Sequence, residues 1–174
     1  MENLKYPFGR FEYGKKYSAA DNQKHILEIA GLPTALNELT SGLTAHTLEK
    51  SYRPGGWTAR QIIHHIADSH SNALIRLKLA LTEDKPVIKP YDQDAWSRLP
   101  DAKHAAVASS LQMITAIHER WNIVLETMTE QDFSRTYIHP EYNREFRLDE
   151  FIALYAWHGK HHCGHLQIIL DQEN

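Results

Sequence analysis

Four histidines lie within eight residues of one another in segment 157–165, at positions 158, 161, 162 and 165. On an α-helix, which turns about 100° per residue, His158 and His162 lie on either side of the centre of an apolar stripe, and His161 lies on its flank. Two imidazoles directed into a core need polar partners, because burying an unpaired polar group is costly. A metal ion would satisfy both, since neutral imidazole nitrogen is a standard ligand for zinc, nickel, copper and iron.

The alternative is that these are ordinary histidines, hydrogen-bonded or exposed. A lone histidine would favour that interpretation, but a pair one turn apart at the centre of an apolar stripe favours the metal site. The zincin motif is absent, because positions 159 and 160 are Gly and Lys and supply no glutamate as general base. A third ligand, and any base, must therefore come from elsewhere in the chain.

The second predicted helix offers candidates for the third ligand. With its apolar face as reference, His64 is expected to point to solvent, His65 lies at the edge of the core and His70 lies on the opposite flank. A polar strip about three turns long runs beside the apolar face and consists of His65, Ser69, Asn72 and Arg76. Periodicity alone does not decide whether this strip is a half-exposed boundary or part of a site, and it does not exclude His70.

The composition predicts a soluble globular protein, with 42% hydrophobic and 24% charged residues in a chain of 174. A net charge of -3 without a Lys/Arg run disfavours nucleic acid or an anionic membrane as the main partner. No stretch approaches the length of a membrane span, and the first residues lack an apolar signal region. The single cysteine, Cys163, excludes an internal disulfide and fits a reducing compartment, so we expect a cytoplasmic protein.

Four amphipathic helices are predicted to position the site, over about residues 20–39, 58–82, 106–128 and 148–170. Gly31 and Pro33 are expected to break or kink the first helix. Thr58 and Gln61 are spaced as a capping box at the start of the second. The pattern predicts an all-α, four-helix-bundle domain over residues 1–174, with metal ligands on facing helices.

The segments between these helices are predicted to be irregular. Residues 1–17 form an irregular amino-terminal arm, and a Pro- and Asp-rich connector between the second and third helices is long enough to cross the bundle. In segment 129–147, Tyr142-Asn143-Arg144 is placed to turn a short hairpin, and His139 is a candidate for the mouth of a pocket.

Several segments resemble the YfiT group of the DinB-like superfamily. The resemblance rests on Gly55-Gly56-Trp57-Thr58-x-x-Gln61-x-x-His64-His65-x-Ala67-Asp68-Ser69-His70-x-Asn72, Arg76-x-Lys78, Pro90-Tyr91-Asp92 with Trp96, and Tyr155-x-Trp157-His158-x-x-x-His162. Proteins of this group are four-helix bundles that bind one divalent metal through three histidines, and many are homodimers. The resemblance implies His65, His158 and His162 as the ligands, and it also implies a homodimer.

Three histidines on one metal leave a coordination position open for water or substrate, which is the catalytic arrangement. We expect one divalent metal per chain, with zinc as the first choice and nickel as the second. Zinc so held lowers the pKa of bound water to ~7 or holds a thiol as thiolate. The first chemistry would give a hydrolase and the second a thiol transferase.

Members of the YfiT group carry an older label as metal-dependent hydrolases, and the wider superfamily resembles enzymes that conjugate bacillithiol or mycothiol to electrophiles. We favour thiol transfer because no carboxylate lies at a motif position to act as the general base of hydrolysis. Such a base would instead have to come from Asp92 or Asp94 in the connector, or from a second subunit. A non-catalytic metal-binding or stress-response module is a further alternative, and no catalytic residue is assigned.

The predicted substrate-binding residues are Ser69, Asn72 and Arg76, which lie beside His65 on the polar strip. Arg76 is expected to hold the carboxylate of an acidic thiol, because guanidinium and carboxylate groups form paired hydrogen bonds. The alternative for Arg76 is an ion pair at the boundary of the core. The expected partners are accordingly a small thiol and an electrophile.

Overall fold

The structure is a computed structural model that describes residues 2–172, so Met1 and residues 173–174 of the predicted domain lie outside it. In chain order its helices are α1 (Glu2–Lys5), α2 (Ala19–Ser41), α3 (Ala59–Thr82), α4 (Gln93–Trp96), α5 (Pro100–His104), α6 (Val107–Glu126), α7 (Glu130–Ser134) and α8 (Leu148–Asp171). A single 3₁₀ turn is formed at Thr47–Glu49, and a hairpin pairs β1 (Thr136–His139) with β2 (Arg144–Arg147). The long helices α2, α3, α6 and α8 confirm the predicted four-helix bundle.

The four long helices are arranged in an order that differs from their order in the chain. Helix α2 packs against α6 and α8, and α3 packs against the same two helices. Consecutive helices α2 and α3 therefore lie on one diagonal of the bundle, and α6 and α8 lie on the other. This arrangement makes α3 and α8 neighbours, so it brings His65 next to the histidine-rich face of α8.

Helix α2 is continuous through Gly31 and Pro33, so of the predicted break or kink the break is not formed, and the kink stays a prediction. Proline has no backbone N–H, and the carbonyl of Ile29, four residues earlier, therefore lacks its helical donor. That carbonyl accepts a hydrogen bond of 2.8 Å from Nδ1 of His118 on α6. A side chain from a neighbouring helix thus replaces the missing bond, while buried Ile29, Leu32 and Leu36 hold α2 in the core.

Helix α3 begins at the predicted capping box and is buried on most of its circumference. The backbone N–H of Gln61 donates to the Thr58 hydroxyl at 3.2 Å, and the Gln61 side chain accepts from the Thr58 N–H at 2.9 Å. His64 is buried instead of facing solvent, with Nδ1 2.7 Å from the Ser110 hydroxyl and Nε2 3.3 Å from the Ala105 carbonyl. The expectation for His64 was wrong because α6 and the segment before it cover this face, which the wheel of an isolated helix does not show.

The connector between α3 and α6 contains α4 and α5 and is fixed to the start of α3. The Gln61 amide donates to the Ser97 carbonyl at 2.8 Å, and the Arg60 guanidinium donates to the Ala105 carbonyl at 2.7 Å. The predicted hairpin is also formed, with Tyr137 opposite Phe146 and Asn143 at φ 48° in its turn. The connector and the hairpin therefore both have defined structures and pack beside the helical bundle.

The amino-terminal arm, residues 6–18, lies over α8, and the segment before it forms the short helix α1 instead of continuing the irregular chain. The Trp157 indole donates to the Gly9 carbonyl at 3.2 Å. The arm approaches α8 closely at Gly164, where an added Cβ would lie 2.8 Å from atoms of both Pro7 and Phe8. Glycine at position 164 therefore allows the arm to cover this end of the bundle.

Among the described residues, no helix combines the length and the apolar character needed to cross a membrane.

Candidate metal centre

Three histidines converge where α3 and α8 pack together. His65 comes from α3, and His158 and His162 come from successive turns of α8. The Nε2 atoms of His65 and His158 are 3.2 Å apart, and one ring nitrogen from each of the three residues lies within 4.8 Å of the other two. Two nitrogens bound to one tetrahedral zinc at 2.0–2.1 Å would be about 3.3 Å apart. The spacing in the structure therefore fits a single ion.

The three imidazoles are held in their neutral form. Burial lowers the pKa of His65 to about 3, with a smaller effect from the charge of His161. Burial also lowers the pKa of His158 and His162 well below the usual histidine range, and the neighbouring imidazoles add to the effect. Neutral imidazole is the form that binds a metal, so the protonation state favours coordination.

The chemistry of the donor set also fits a divalent transition metal. All three potential ligand atoms are imidazole nitrogens, which suit zinc, nickel and copper better than magnesium or calcium. A neutral imidazole carries one N–H, so facing nitrogens cannot all be satisfied by hydrogen bonds with one another. One cation at their centre would accept a lone pair from each ring.

A second histidine group lies immediately beside the first and shares His162 with it. His161, His162 and His165 also have ring nitrogens within 4.8 Å of one another. Nδ1 of His162 is 3.4 Å from Nδ1 of His165, which leaves Nε2 of His162 for the first group. Nδ1 of His161 is buried and has no hydrogen-bond partner.

A cavity of about 1000 Å³ adjoins the histidines and is lined by residues of α3, α8, the arm, the connector and the hairpin. Of the predicted substrate-binding residues, Ser69 and Arg76 line this cavity. Asn72 does not, because its amide donates to the Asp68 carbonyl of the same helix at 2.9 Å. The structure therefore gives no geometric support to a site role for Asn72.

Arg76 has no acidic partner in the part of the chain that the structure describes. Its guanidinium donates to the Lys89 carbonyl at 3.2 Å, and its Nε is buried without a hydrogen-bond partner. None of the ion pairs among residues 2–172 includes it. The alternative of a boundary ion pair is thus not formed in the structure.

Two tyrosines complete the wall around Arg76, and sequence reasoning missed both. Tyr155 and Tyr91 line the cavity together with Arg76 and Ser69. Burial raises the pKa of both phenols, and the charge of Arg76 acts in the opposite direction on each. Protonated phenols can donate hydrogen bonds to a ligand. Tyr155 lies in the apolar stripe of α8, so periodicity could only indicate a core aromatic residue.

His139 on β1 lines the same cavity, in agreement with its prediction as a residue at the mouth of a pocket. Its ring centroid is 4.7 Å from that of Tyr142, and its Nδ1 is buried without a partner. Burial lowers the pKa of His139, and the charge of Arg76 lowers it further, against an opposing effect of Glu141. Arg76 and His139 thus make one wall of the cavity rich in hydrogen-bonding nitrogen.

Three carboxylates of the described chain line the cavity, and none of them is hydrogen-bonded to the histidine cluster. Asp92, Asp94 and Glu141 are lining residues, and Asp92 accepts a hydrogen bond from the Ala95 N–H as the cap of α4. Burial raises the pKa of Asp68 to about 6, followed in effect by the charge of Asp101, but Asp68 is not a lining residue. No hydrogen bond joins a carboxylate to His65, His158 or His162 among residues 2–172.

Comparisons with known proteins agree with this architecture. The sequence profile of the DinB superfamily matches residues 28–166. A protein of Oceanobacillus iheyensis is 45% identical over 172 residues, 99% of each chain, and one of Bacillus cereus is 43% identical over 174 residues, 100% of this chain and 99% of its own. Both carry the name "Putative metal-dependent hydrolase".

The solved structure of YfiT from Bacillus subtilis, described as having an unusual four-helix bundle topology, aligns with a TM-score of 0.95 at 39% identity. The alignment covers 98% of this chain and 98% of that one. Profile, relatives and structure agree over nearly the whole chain, and the protein belongs to the DinB superfamily.

Proposed function

We propose that the protein is a metal-dependent enzyme that transfers a low-molecular-weight acidic thiol, such as bacillithiol, to an electrophile. The observation that carries this proposal is the Arg76 guanidinium, which shares a cavity with the three-histidine cluster and lacks an acidic partner among the described residues. A guanidinium in such surroundings is a strong partner for a carboxylate, which it binds through two parallel hydrogen bonds. An acidic thiol would bring that carboxylate.

Tyr155 connects the Arg76 end of the cavity with the histidine cluster. Tyr155 and Arg76 line the same cavity, and burial raises the pKa of the Tyr155 hydroxyl while the charge of Arg76 lowers it. The Tyr155 ring centroid lies 5.8 Å from that of His158. One small molecule can therefore contact both ends of the site. Binding at Arg76 would hold the thiol in place while its sulfur reaches the cluster, and such positioning lowers the entropic part of a reaction barrier.

A divalent ion held by His65, His158 and His162 would supply a Lewis acid that lowers the pKa of a thiol. In the proposed reaction the thiol loses its proton and its sulfur forms a bond with an electrophilic carbon, while a halide leaves or a strained ring opens. Arg76 binds the carboxylate, and the Tyr155 hydroxyl, which lines the same cavity, donates a further hydrogen bond to it. The metal identity within this proposal is zinc, with nickel as the alternative.

Hydrolysis is the second candidate, favoured by the names of the relatives and by the position of His161. Nδ1 of His161 is buried without a hydrogen-bond partner, and the residue lines the cavity beside His162. An imidazole so placed can accept a proton from water as a general base. In this alternative the protein would cleave an ester or amide without any thiol.

The test compares both reactions in protein loaded with zinc or nickel and in protein stripped with a chelator. Thiol transfer predicts metal-dependent formation of a bacillithiol conjugate with a monohalobimane or an epoxide. Metal-dependent cleavage of an ester or amide in the absence of thiol would contradict thiol transfer and support hydrolysis instead. Absence of both activities, with a sharp loss of thermal stability on metal removal, would contradict both and indicate a non-catalytic metal-binding module.

A further inference from the structure

A chain of hydrogen-bonded histidines runs from the metal cluster into the core. Nδ1 of His158 is 3.1 Å from Nε2 of His70 on α3. Nδ1 of His70 is 2.8 Å from Nε2 of His118 on α6, and Nδ1 of His118 is 2.8 Å from the Ile29 carbonyl of α2. His70 and His118 are almost completely buried, so solvent does not compete for these bonds.

The carbonyl at the end of this chain fixes the position of every proton along it. A carbonyl only accepts, so Nδ1 of His118 carries hydrogen, and in a neutral ring Nε2 must then be the acceptor. His70 therefore donates from Nδ1 and accepts at Nε2, and His158 donates from Nδ1. The Nε2 atom of His158 is left with a free lone pair, and this is the atom that faces His65 across the cluster.

The sequence supplies the terminal acceptor through Pro33. Residue 33 of a regular helix would donate its N–H to the carbonyl of residue 29, but proline has no such donor. The Ile29 carbonyl is therefore available to His118. Pro33, a residue type that usually breaks helices, therefore leaves free the carbonyl that accepts the last hydrogen bond of this chain of histidines.

A shorter chain runs from His162 to the amino-terminal segment. Nδ1 of His162 is 3.4 Å from Nδ1 of His165, and Nε2 of His165 is 3.2 Å from the Lys5 carbonyl. Lys5 is the last residue of α1, where carbonyls lack helical donors. By the same reasoning His165 carries hydrogen on Nε2, accepts at Nδ1, and leaves the Nε2 lone pair of His162 free.

We propose that His70, His118 and His165 are positioning residues that hold His158 and His162 in the Nδ1–H tautomer, with the Nε2 lone pairs directed at the metal. Partners of this kind orient metal ligands and raise their basicity. The proposal goes beyond the reaction, because it holds for thiol transfer and hydrolysis alike. It also argues against a second ion bound by His161, His162 and His165, which would compete for Nδ1 of His162.

The tautomers can be read directly by NMR of protein labelled with ¹⁵N-histidine. In the zinc-loaded protein we expect Nδ1–H in His70 and His118 and Nε2–H in His165. In the metal-free protein we expect Nδ1–H in His158 and His162, and Nε2–H in His65, which donates across the 3.2 Å contact. An Nε2–H tautomer in His70 or His118, or two ions per chain, would overturn the proposal.

Metal affinity of paired variants gives an independent test. His70→Leu removes the acceptor for His158, whereas His70→Gln can place an amide oxygen near the former Nε2. We expect the leucine variant to lower zinc affinity 10- to 100-fold in chelator competition, and the glutamine variant to retain most of it. The control is His64→Leu, because His64 is buried on the same helix but bonds to Ser110 and Ala105.

The two variants at position 70 separate positioning from a purely structural role. Equal loss of zinc affinity in His70→Leu and His70→Gln, or an equal loss in His64→Leu, would contradict the proposal. If His70→Leu fails to fold, the tautomers of the unaltered protein still decide the question.

Discussion

At the scale of single residues, the role of each histidine is determined by what its two ring nitrogens contact. His64 and His65 are neighbours in sequence, but His64 bonds to Ser110 while His65 faces His158 across the cluster. Helical rotation separates them by about 100°, so they serve different faces of α3. The ligand set of His65, His158 and His162 stays a prediction, and the close approach of one ring nitrogen from each residue is consistent with it.

Alanine variants test that ligand set. His65→Ala, His158→Ala and His162→Ala should each lower metal content, measured by elemental analysis of purified protein, because each removes one of three donors. His64→Ala should keep its metal and instead lose stability, by roughly 1–3 kcal/mol for unpaired buried partners. His161→Ala should also keep its metal. Equal metal loss at all five positions would show that the assignment of faces is wrong.

Arg76 is tested by a substitution that removes its charge and keeps an unbranched side chain. Arg76→Met should raise the KM for an acidic thiol about ten-fold or more, since a charge-assisted hydrogen bond contributes ~1.5–3 kcal/mol, and should leave metal content unchanged. Lys78→Met is the matched control, because Lys78 is an exposed cation on the same helix. An equal effect with a neutral thiol would contradict the role of Arg76 as a carboxylate anchor.

At the scale of elements, the contact between the arm and α8 supports the site from the amino-terminal side. Gly164→Ala should destabilise the protein by about 1–3 kcal/mol, because its Cβ would meet Pro7 and Phe8 at 2.8 Å. Gly31→Ala is the control, since no atom lies within 4 Å of its added Cβ on α2. That control should stabilise by roughly 0.5–1 kcal/mol. Urea unfolding of both variants measures the difference, and the same sign for both would contradict this account.

Elements whose signals are local could be predicted from the sequence, and tertiary contacts could not. The capping box of Thr58 and the apolar stripe of α8 depend on residues within a few positions of one another, and both are formed. The burial of His64 depends on packing by α6. The bond from His118 to the Ile29 carbonyl, which takes the place of the helical bond that Pro33 cannot donate, joins residues 89 positions apart. No local pattern carries such information.

At the scale of the whole molecule, the cluster of buried neutral histidines makes stability depend on pH. The pKa of His65 is lowered to about 3, and those of His118 and His165 to about 4, mainly by burial, from 6.5. Below pH 6.5 the unfolded chain binds protons at these positions and the folded protein does not. Stability must therefore fall as the pH decreases from 6.5 toward 4.

Urea unfolding of metal-free protein should show this loss, at roughly 1 kcal/mol per pH unit for each such histidine. Asp68 acts in the opposite direction, because burial raises its pKa from 3.8 to about 6. One carboxyl group cannot offset several histidines. Stability that is constant or rises on acidification over this range would contradict the burial of the cluster.

The homodimer implied by the family resemblance stays a prediction, which sedimentation equilibrium of the full chain would measure. A molecular mass near twice the 20.1 kDa of the chain is expected. A monomer would remove a second subunit as a source of a general base and leave the cavity of one chain as the whole site.

The three-histidine centre is tested most directly by a crystal structure of the zinc-loaded protein with an anomalous difference map at the zinc edge. The account predicts one peak per chain, ~2.0–2.1 Å from Nε2 of His65, His158 and His162. A peak bound instead by His161, His162 and His165, or no peak at the junction of α3 and α8, would contradict it.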